Sequence, residues 1–138
     1  MKYLKDIALE IKDIASEIPN VNTVRVGEIT DLNRGDVEYS AVVISIGDVE
    51  FDLEYGHKKC FFNLFYVDLQ NDDESNLVDI QSHAVEVLIN IVSVLYERNE
   101  NLEIDRIQPF SDRLQALCGG AMVSVGVTVA HDQSCKLF

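Results

Sequence analysis

Six side chains carry the nitrogen or sulfur atoms that most often serve as nucleophiles, general bases or metal ligands. They are His57, His83, His131, Cys60, Cys118 and Cys135. Zinc sites combine several such residues at short recurring spacings, and we find no such set. No segment around a cysteine resembles a nucleophile elbow or a thiol-protease motif. We interpret the histidines as surface or interface groups and the cysteines as reduced, buried thiols.

Two further motifs contain residue types that bind ligands. Asp72, Asp73 and Glu74 are consecutive acids, but they lack the spaced oxygen ligands and the glycine of a calcium loop. Capping of a following helix explains them better. Gly119-Gly120 is not followed by Lys-Ser or Lys-Thr, so it predicts a tight turn and not a phosphate loop. The sequence therefore predicts no catalytic residue, no metal site, no cofactor and no enzymatic activity.

Composition is that of one globular domain spanning residues 1–138. Hydrophobic residues make up 47% of the chain, and we expect no apolar run of the roughly 20 residues that a membrane-spanning helix needs. The N-terminal residues alternate acids with apolar residues, so we expect no secretory signal.

The formal net charge of -13 disfavours wrapping of nucleic acid, because affinity for phosphates comes largely from lysine and arginine. Three interpretations of the acidic excess stay open. It can be an ordinary solvated surface, the lining of a channel that repels DNA, or a face that mimics DNA.

Periodic apolar residues predict the first half of the fold. Helical spacing from about Lys2 to Glu17 predicts a helix that ends before Pro19. Thr23 to Val26 predicts a short strand, and the polar residues Glu28 to Glu38 predict a loop or a long hairpin end. We then expect a strand at 41–46, a tight turn at Gly47-Asp48, a half-exposed strand at 49–53 and an aromatic central strand at 59–69.

The clearest predicted element is a long amphipathic helix from about Asn76 to Glu97. Its apolar stripe consists of Leu77, Ile80, Ala84, Val87, Leu88, Ile91, Val94 and Leu95. One strand around Leu102 to Ile107 should stop near Pro109, and a last strand should run from Ala121 to Ala130. The predicted fold class is α+β, with an antiparallel or mixed sheet packed by the long helix and the N-terminal helix.

Two segments carry a resemblance to a known group of proteins. The first is Phe62 to Asp68 (FNLFYVD), continuing through Asp72 to Asn76 (DDESN) and Asp79 to Ser82 (DIQS). The second is Gln108 to Arg113 (QPFSDR) with Cys118 to Ala121 (CGGA), before a strand and a short tail with Cys135. Over most of its length the chain resembles small virion proteins of tailed bacteriophages, especially crAss-like phages. It is similar to their tail-terminator and head-tail connector ring subunits.

This resemblance implies a tail-terminator-like fold and a non-catalytic structural role. The expected protein forms a homo-oligomeric ring around the DNA channel in the neck or tail of the virion, after assembly in the host cytoplasm. Expected partners are further copies of the chain and neighbouring portal, connector or tail proteins. Genomic DNA would pass through the lumen without specific binding, and we expect no membrane partner.

A ring subunit needs two different surfaces that pair head to tail. The loops at 28–38 and 53–58 and the tail at 131–138 are the predicted contact segments. The candidate interface residues are Asp31, Asn33, Arg34, Asp36, Glu54, Tyr55, His57, His131, Lys136, Leu137 and Phe138. The apolar end of the tail fits an interface anchor and a frayed terminus equally well.

Two other functions remain open on the sequence alone. The acidic charge would also suit a monomeric DNA-mimicking inhibitor of a host nucleic-acid enzyme. A small enzyme would need a pocket that gathers histidine and cysteine side chains.

Overall fold

The computed structural model describes residues 3–34, 37–70, 75–98, 101–113 and 117–130. In chain order its elements are α1 (Leu4–Ser16), β1 (Thr23–Val26), a 3-10 helix (Ile29–Arg34), β2 (Ala41–Asp52), β3 (His57–Leu69), α2 (Leu77–Arg98), β4 (Leu102–Ile104), β5 (Gln108–Arg113) and β6 (Leu117–Ala130). The fold is α+β, with an N-terminal helix and a long helix on a mixed sheet. The predicted fold class is confirmed.

The six strands form one sheet in the order β1-β2-β3-β6-β4, and β5 also pairs with β6. β1 and β2 are parallel, whereas every other described pair is antiparallel. β4 and β5 lie on the same side of β6, β4 against residues 125–127 and β5 against residues 117–122. The long strands β2, β3 and β6 therefore make up the body of the sheet.

Both helices pack on one face of the sheet, which we call the inner face. Alternate residues of the central strands supply its apolar surface: Val42, Ile44, Phe62, Leu64, Tyr66, Val123, Val125 and Val127. Five residues of α1, including Ile7 and Ile11, are buried against it. The valines of β6 share this face, with Ser124 and Thr128 on the other, as the sequence predicts.

The opposite face, the outer face, is covered at one end. There Leu32 of the 3-10 helix is buried with residues of three strands: Ala41, Val43, Val67 and Cys118. Burial and a hydrogen bond with Cys118 raise the pKa of Tyr39 in this cluster to about 12. The segment 28–38, predicted as a loop or hairpin end, thus contains a short helix that closes part of the core.

α2 is the main apolar cover of the inner face. Its buried residues are Ile80, Ala84, Val87, Leu88, Ile91, Val92 and Leu95. Gln81 Nε2 also donates to the Phe110 carbonyl at 3.2 Å, which ties the helix to β5. By length and composition α2 is apolar enough to cross a membrane, contrary to our expectation of no such segment. In this fold it lies on the sheet as a core helix.

The predicted tight turn at Gly47-Asp48 is wrong. β2 continues to Asp52, and the register against β3 shifts between Ile46 and Val49, so the two residues form a bulge within one strand. A Cβ at Gly47 would lie 3.1 Å from the Phe61 carbonyl oxygen, which explains the glycine. Sequence pattern alone does not separate a bulge from a turn, because both take glycine and an acid.

The chain reverses after Asp52 instead. The Asp52 Oδ1 accepts hydrogen bonds from the backbone N–H groups of Glu54 and Tyr55 at 3.0 and 3.2 Å. Gly56, at φ 67, donates its N–H to the Asp52 carbonyl at 2.9 Å. An aspartate that bonds its own turn and a glycine with positive φ are the usual requirements of such a reversal.

The predicted turn at Gly119-Gly120 is also wrong, since both glycines lie inside β6. A Cβ at Gly120 would lie 1.7 Å from the Tyr66 carbonyl oxygen. No side chain fits there, so glycine allows β3 and β6 to approach closely. The requirement comes from the neighbouring strand and not from a change of chain direction.

The strand predicted around Leu102 to Ile107 is confirmed only over β4, Leu102–Ile104, whereas β5, which the sequence pattern does not predict, begins at Gln108 and includes Pro109. Proline fits there because β5 has β6 on one side only in the described part of the chain, and an edge strand tolerates a missing N–H. Apart from the 3-10 helix, the described residues form one helix, three strands, one helix and three strands, whereas the predicted order is one helix, four strands, one helix and two strands.

Candidate functional site

The histidines and cysteines within the described residues are dispersed. Cys60 pairs with Val127 and Cys118 with Leu69, so nine residues of β6 separate their positions, about 30 Å at the usual rise. Burial raises the pKa of the Cys60 thiol, with Lys58 opposing it. In the part of the chain that the structure covers, no group of three His, Cys, Asp or Glu residues could hold a metal ion.

The two described histidines have separate surroundings. His57 is exposed at the start of β3. His83 lies on α2 with its ring edge-on to Tyr66, 5.5 Å between centroids. His131, Cys135 and the acids Asp72, Asp73 and Glu74 lie outside the described residues.

The most distinctive surface is the end of the β2–β3 hairpin. β1 pairs with β2 only from Ala41 to Ile44, whereas β2 and β3 remain paired as far as Asp52 and His57. The hairpin therefore extends beyond the part of the sheet that β1 borders. We call residues 46–60 the distal hairpin.

Large apolar side chains are exposed along the distal hairpin. The exposed fractions are 43% for Ile46, 48% for Val49 and Phe51, 84% for Leu53 and 69% for Tyr55. We call these five residues the hairpin patch. Single exposed apolar residues are normal, but five of them at one end of a hairpin make a candidate contact surface.

The two faces of the distal hairpin differ in chemistry. Phe51 is paired directly with Lys58, and Val49 lies two residues away on the same face. The Lys58 ammonium lies 5.7 Å from the ring centroid of Tyr3 at the start of α1. Glu50 and Asp52 alternate onto the opposite face. The inner face is thus apolar with a cation, and the outer face is acidic.

Basic and polar groups accompany those acids on the outer face. Glu50 pairs with Lys59 and Asp52 with His57. Lys59 forms a salt bridge with Glu103 of β4, and its ammonium lies 5.2 Å from the Phe61 ring centroid. An open depression of about 550 Å³ lies at this end of the hairpin, and its lining combines acidic and basic residues with Phe51 and Leu53 of the hairpin patch. Opposite charges face each other across the strand pair at Glu50 and Lys59, an arrangement that stabilises a hairpin.

A smaller and more apolar cavity lies at the other end of the outer face. Its volume is about 260 Å³, and its lining includes Ile29, Phe65, Phe110 and Met122. The rings of Phe65 and Phe110 meet edge-on with centroids 6.4 Å apart. These side chains are only partly exposed, so the cavity is a shallow gap between β5 and the 3-10 helix.

A second apolar surface lies on α2 beside its buried stripe. Val78, Val85, Ile89 and Tyr96 follow one another at spacings of seven, four and seven residues, which places them in one column of a helix. The exposed fractions are 71% for Val78, 41% for Ile89 and 58% for Tyr96, and Val85 is half-buried. We call these four residues the α2 column.

The structure separates the predicted interface residues. Glu54, Tyr55 and His57 lie together at the tip of the distal hairpin. The backbone of Asp31, Asn33 and Arg34 belongs to the 3-10 helix, at the opposite end of the sheet. Asp36, His131, Lys136, Leu137 and Phe138 lie outside the described residues.

Sequence reasoning missed most of the apolar surface residues. Val49, Phe51 and Leu53 were predicted to alternate on a half-exposed strand, without a sign that their apolar side would also be uncovered. The α2 column had a visible signal, because four apolar positions at heptad-like spacing lie outside the main stripe. Its meaning required knowing which side of the helix faces the sheet.

Comparison with known protein families and with curated proteins finds no match for this chain.

Proposed function

We propose that the chain is a non-catalytic structural subunit of a tailed-phage virion. It forms a homo-oligomeric ring around the DNA channel in the neck or tail, as a head-tail connector or tail terminator with a tail-terminator-like fold. Its partners are further copies of itself and the neighbouring portal, connector or tail proteins. The sequence resemblance suggests this role, and the hairpin patch is the observation that carries it.

The hairpin patch supports assembly because its exposure is costly in water. Burying a side chain of leucine or phenylalanine size is worth about 1.5 to 3 kcal/mol. Leu53, at 84% exposed, lies at the tip of the distal hairpin and contributes little to the core of its own chain. A second protein surface that covers the patch recovers this free energy.

The acidic balance supports a position beside DNA without binding to it. The chain has 24 acidic and 11 basic residues, and acids occur on both faces and in both helices. In the proposed ring, an acidic lumen repels phosphates and allows the genome to pass.

The molar mass of the purified chain in solution tests the ring. Light scattering coupled to size exclusion should give a multiple of the 15.5 kDa chain, and electron microscopy should show closed rings. Because the contact is apolar, the assembly should persist when the salt concentration is raised. A chain that stays monomeric at every concentration would contradict the ring and favour the DNA-mimicking inhibitor.

DNA binding provides an independent test of the channel role. We expect no change in the fluorescence anisotropy of a labelled duplex at physiological salt, because a surface of net charge -13 releases few counterions from DNA. A basic lumen in the assembled ring, or tight duplex binding, would contradict this part of the proposal.

A further inference from the structure

We infer that the hairpin patch of one copy packs on the α2 column of a second copy. This inference rests on the proposed ring and names its contact. The two surfaces differ in shape and lie on different elements, so the contact is heterologous. Each copy keeps one unused surface of each kind, and repetition of such a contact generates a ring when the rotation closes.

The α2 column is unusual for a surface of this chain. In a protein of net charge -13, its exposed positions are valine, isoleucine and tyrosine, with Ser82 and Ser93 beside them. The main apolar stripe of α2 already contacts the sheet. Val85 packs against the same core, but Val78, Ile89 and Tyr96 are exposed, and the packing of their own sheet does not account for these three.

The dimensions of the two surfaces agree. From Val78 to Tyr96 the α2 column spans 18 residue steps, about 27 Å at the helical rise. From Ile46 to Asp52 the projecting strand spans six steps, about 20 Å at the strand rise. The turn with Leu53 and Tyr55 adds to that length. A strand of this length can lie along the column.

Charge complementarity favours a second copy as the occupant. The inner face of the distal hairpin carries Lys58 beside the apolar side chains. Asp79, Glu86 and Glu97 are exposed on the same helix, each one residue after a column member and therefore about 100° further round it, beyond Ser82 and Ser93. A hairpin that lies on the column places its ammonium beside this acidic side of α2.

Pairing of two hairpin edges is disfavoured by the same reasoning. An antiparallel pair of β2 edges would bring Asp48, Glu50 and Asp52 of one copy close to those of another, and like charges across strands are destabilising. The bulge at Gly47-Asp48 further interrupts the edge, a common protection against edge pairing. The contact therefore uses side chains of the inner face and not the strand edge.

Complementary variants test the contact. Leu53→Glu disables the hairpin patch, and Ile89→Lys disables the α2 column. Leu9→Lys on α1 is the matched control, because Leu9 and Ile89 are both 41% exposed on helices. Val78→Lys, at a position 71% exposed, serves as a second column variant should Ile89→Lys fold poorly by circular dichroism.

Each disabled variant alone should have the mass of one 15.5 kDa chain, and the Leu9→Lys control should assemble like the unaltered chain. An equimolar mixture of Leu53→Glu and Ile89→Lys should form a 1:1 dimer, since one intact patch and one intact column remain on different copies. A mixture that stays monomeric would overturn the inference. If both column variants assembled into full rings, the inferred contact would be wrong but the proposed ring would stand. If the unaltered chain were monomeric, both the contact and the ring would be wrong.

Discussion

The two ends of the sheet differ in how far they bury a leucine. At the covered end, Leu32 of the 3-10 helix is 1% exposed and is packed against β2, β3 and β6. At the hairpin end, Leu53 is 84% exposed at the tip of the distal hairpin. Both leucines follow polar residues in segments that connect strands. The difference is whether another segment of the same chain covers the leucine side chain.

This difference shows at which end of the sheet the chain buries its own apolar side chains. The covered end has a closed core on both faces, with helices on the inner face and the 3-10 helix on the outer one. The hairpin end has apolar side chains and paired strands but lacks a covering element among the described residues. Stability should therefore depend on the covered end, and assembly on the hairpin end.

The largest expected effect is the difference in stability between alanine variants at two glycines of β6. Gly120→Ala at the covered end places a Cβ 1.7 Å from the Tyr66 carbonyl oxygen, so β3 and β6 must move apart. We expect a loss of more than about 4 kcal/mol in the free energy of unfolding, or no soluble protein. Gly126→Ala, towards the hairpin end, meets the end of the Lys59 side chain at 3.0 Å and the Phe61 ring at 3.1 Å.

The end of the Lys59 side chain can move, and the Phe61 ring needs only a small shift, so Gly126→Ala should cost about 1 to 2 kcal/mol. Urea unfolding of both variants, in a background that light scattering finds monomeric, measures the contrast. Equal losses at the two positions would contradict the division between the two ends.

A smaller contrast compares the two leucines directly. Leu32→Ala should lower the free energy of unfolding by about 2 to 5 kcal/mol, because it leaves a cavity among buried residues. Leu53→Ala should change it by less than about 0.5 kcal/mol in the same monomeric background. The effect on ring formation should have the opposite order. Leu53→Ala should weaken ring formation directly, whereas Leu32→Ala should affect it only through folding.

Alkaline pH should destabilise the covered end. The pKa of Tyr39 is raised to about 12 by burial and by the Cys118 hydrogen bond, and burial also raises the pKa of Tyr66. Folding therefore favours the protonated phenols. This contribution is complete below pH 10 and is lost as the pH rises towards 12.

Tyr39→Phe should reduce the loss of stability between pH 10 and 12, because phenylalanine has no phenol to ionise. Thermal unfolding followed across this range measures the effect, with Tyr55→Phe at the exposed hairpin tip as the control. A steeper loss in Tyr39→Phe than in the unaltered chain would contradict the assignment.

Local pattern was sufficient for the elements whose cause is local. The helical periodicity before Pro19 and along Leu77 to Leu95 predicts the ends of both helices to within about two residues. Each buried stripe consists of apolar residues repeated in consecutive turns, so it is visible in the local sequence. Alternation likewise predicts β1, β3 and most of β6. The fold class follows from these elements.

Features that depend on a distant strand could not be predicted in this way. Gly120 is required by the Tyr66 carbonyl and Gly47 is favoured by a close contact with Phe61, and both contacts exist only after β3 has paired. Pro109 is compatible with β5 because that strand lies at an edge. Exposure of Val49 and Phe51 has the same origin, since it depends on where β1 and α1 end relative to the hairpin.

The most direct test of the account is a cryo-electron microscopy reconstruction of the assembled chain. We predict a closed ring in which each hairpin patch is buried at the boundary between adjacent copies, with Leu53 against α2 of the neighbour and acidic side chains along the lumen. A ring that leaves the distal hairpin in solvent, or particles that are single chains, would contradict it.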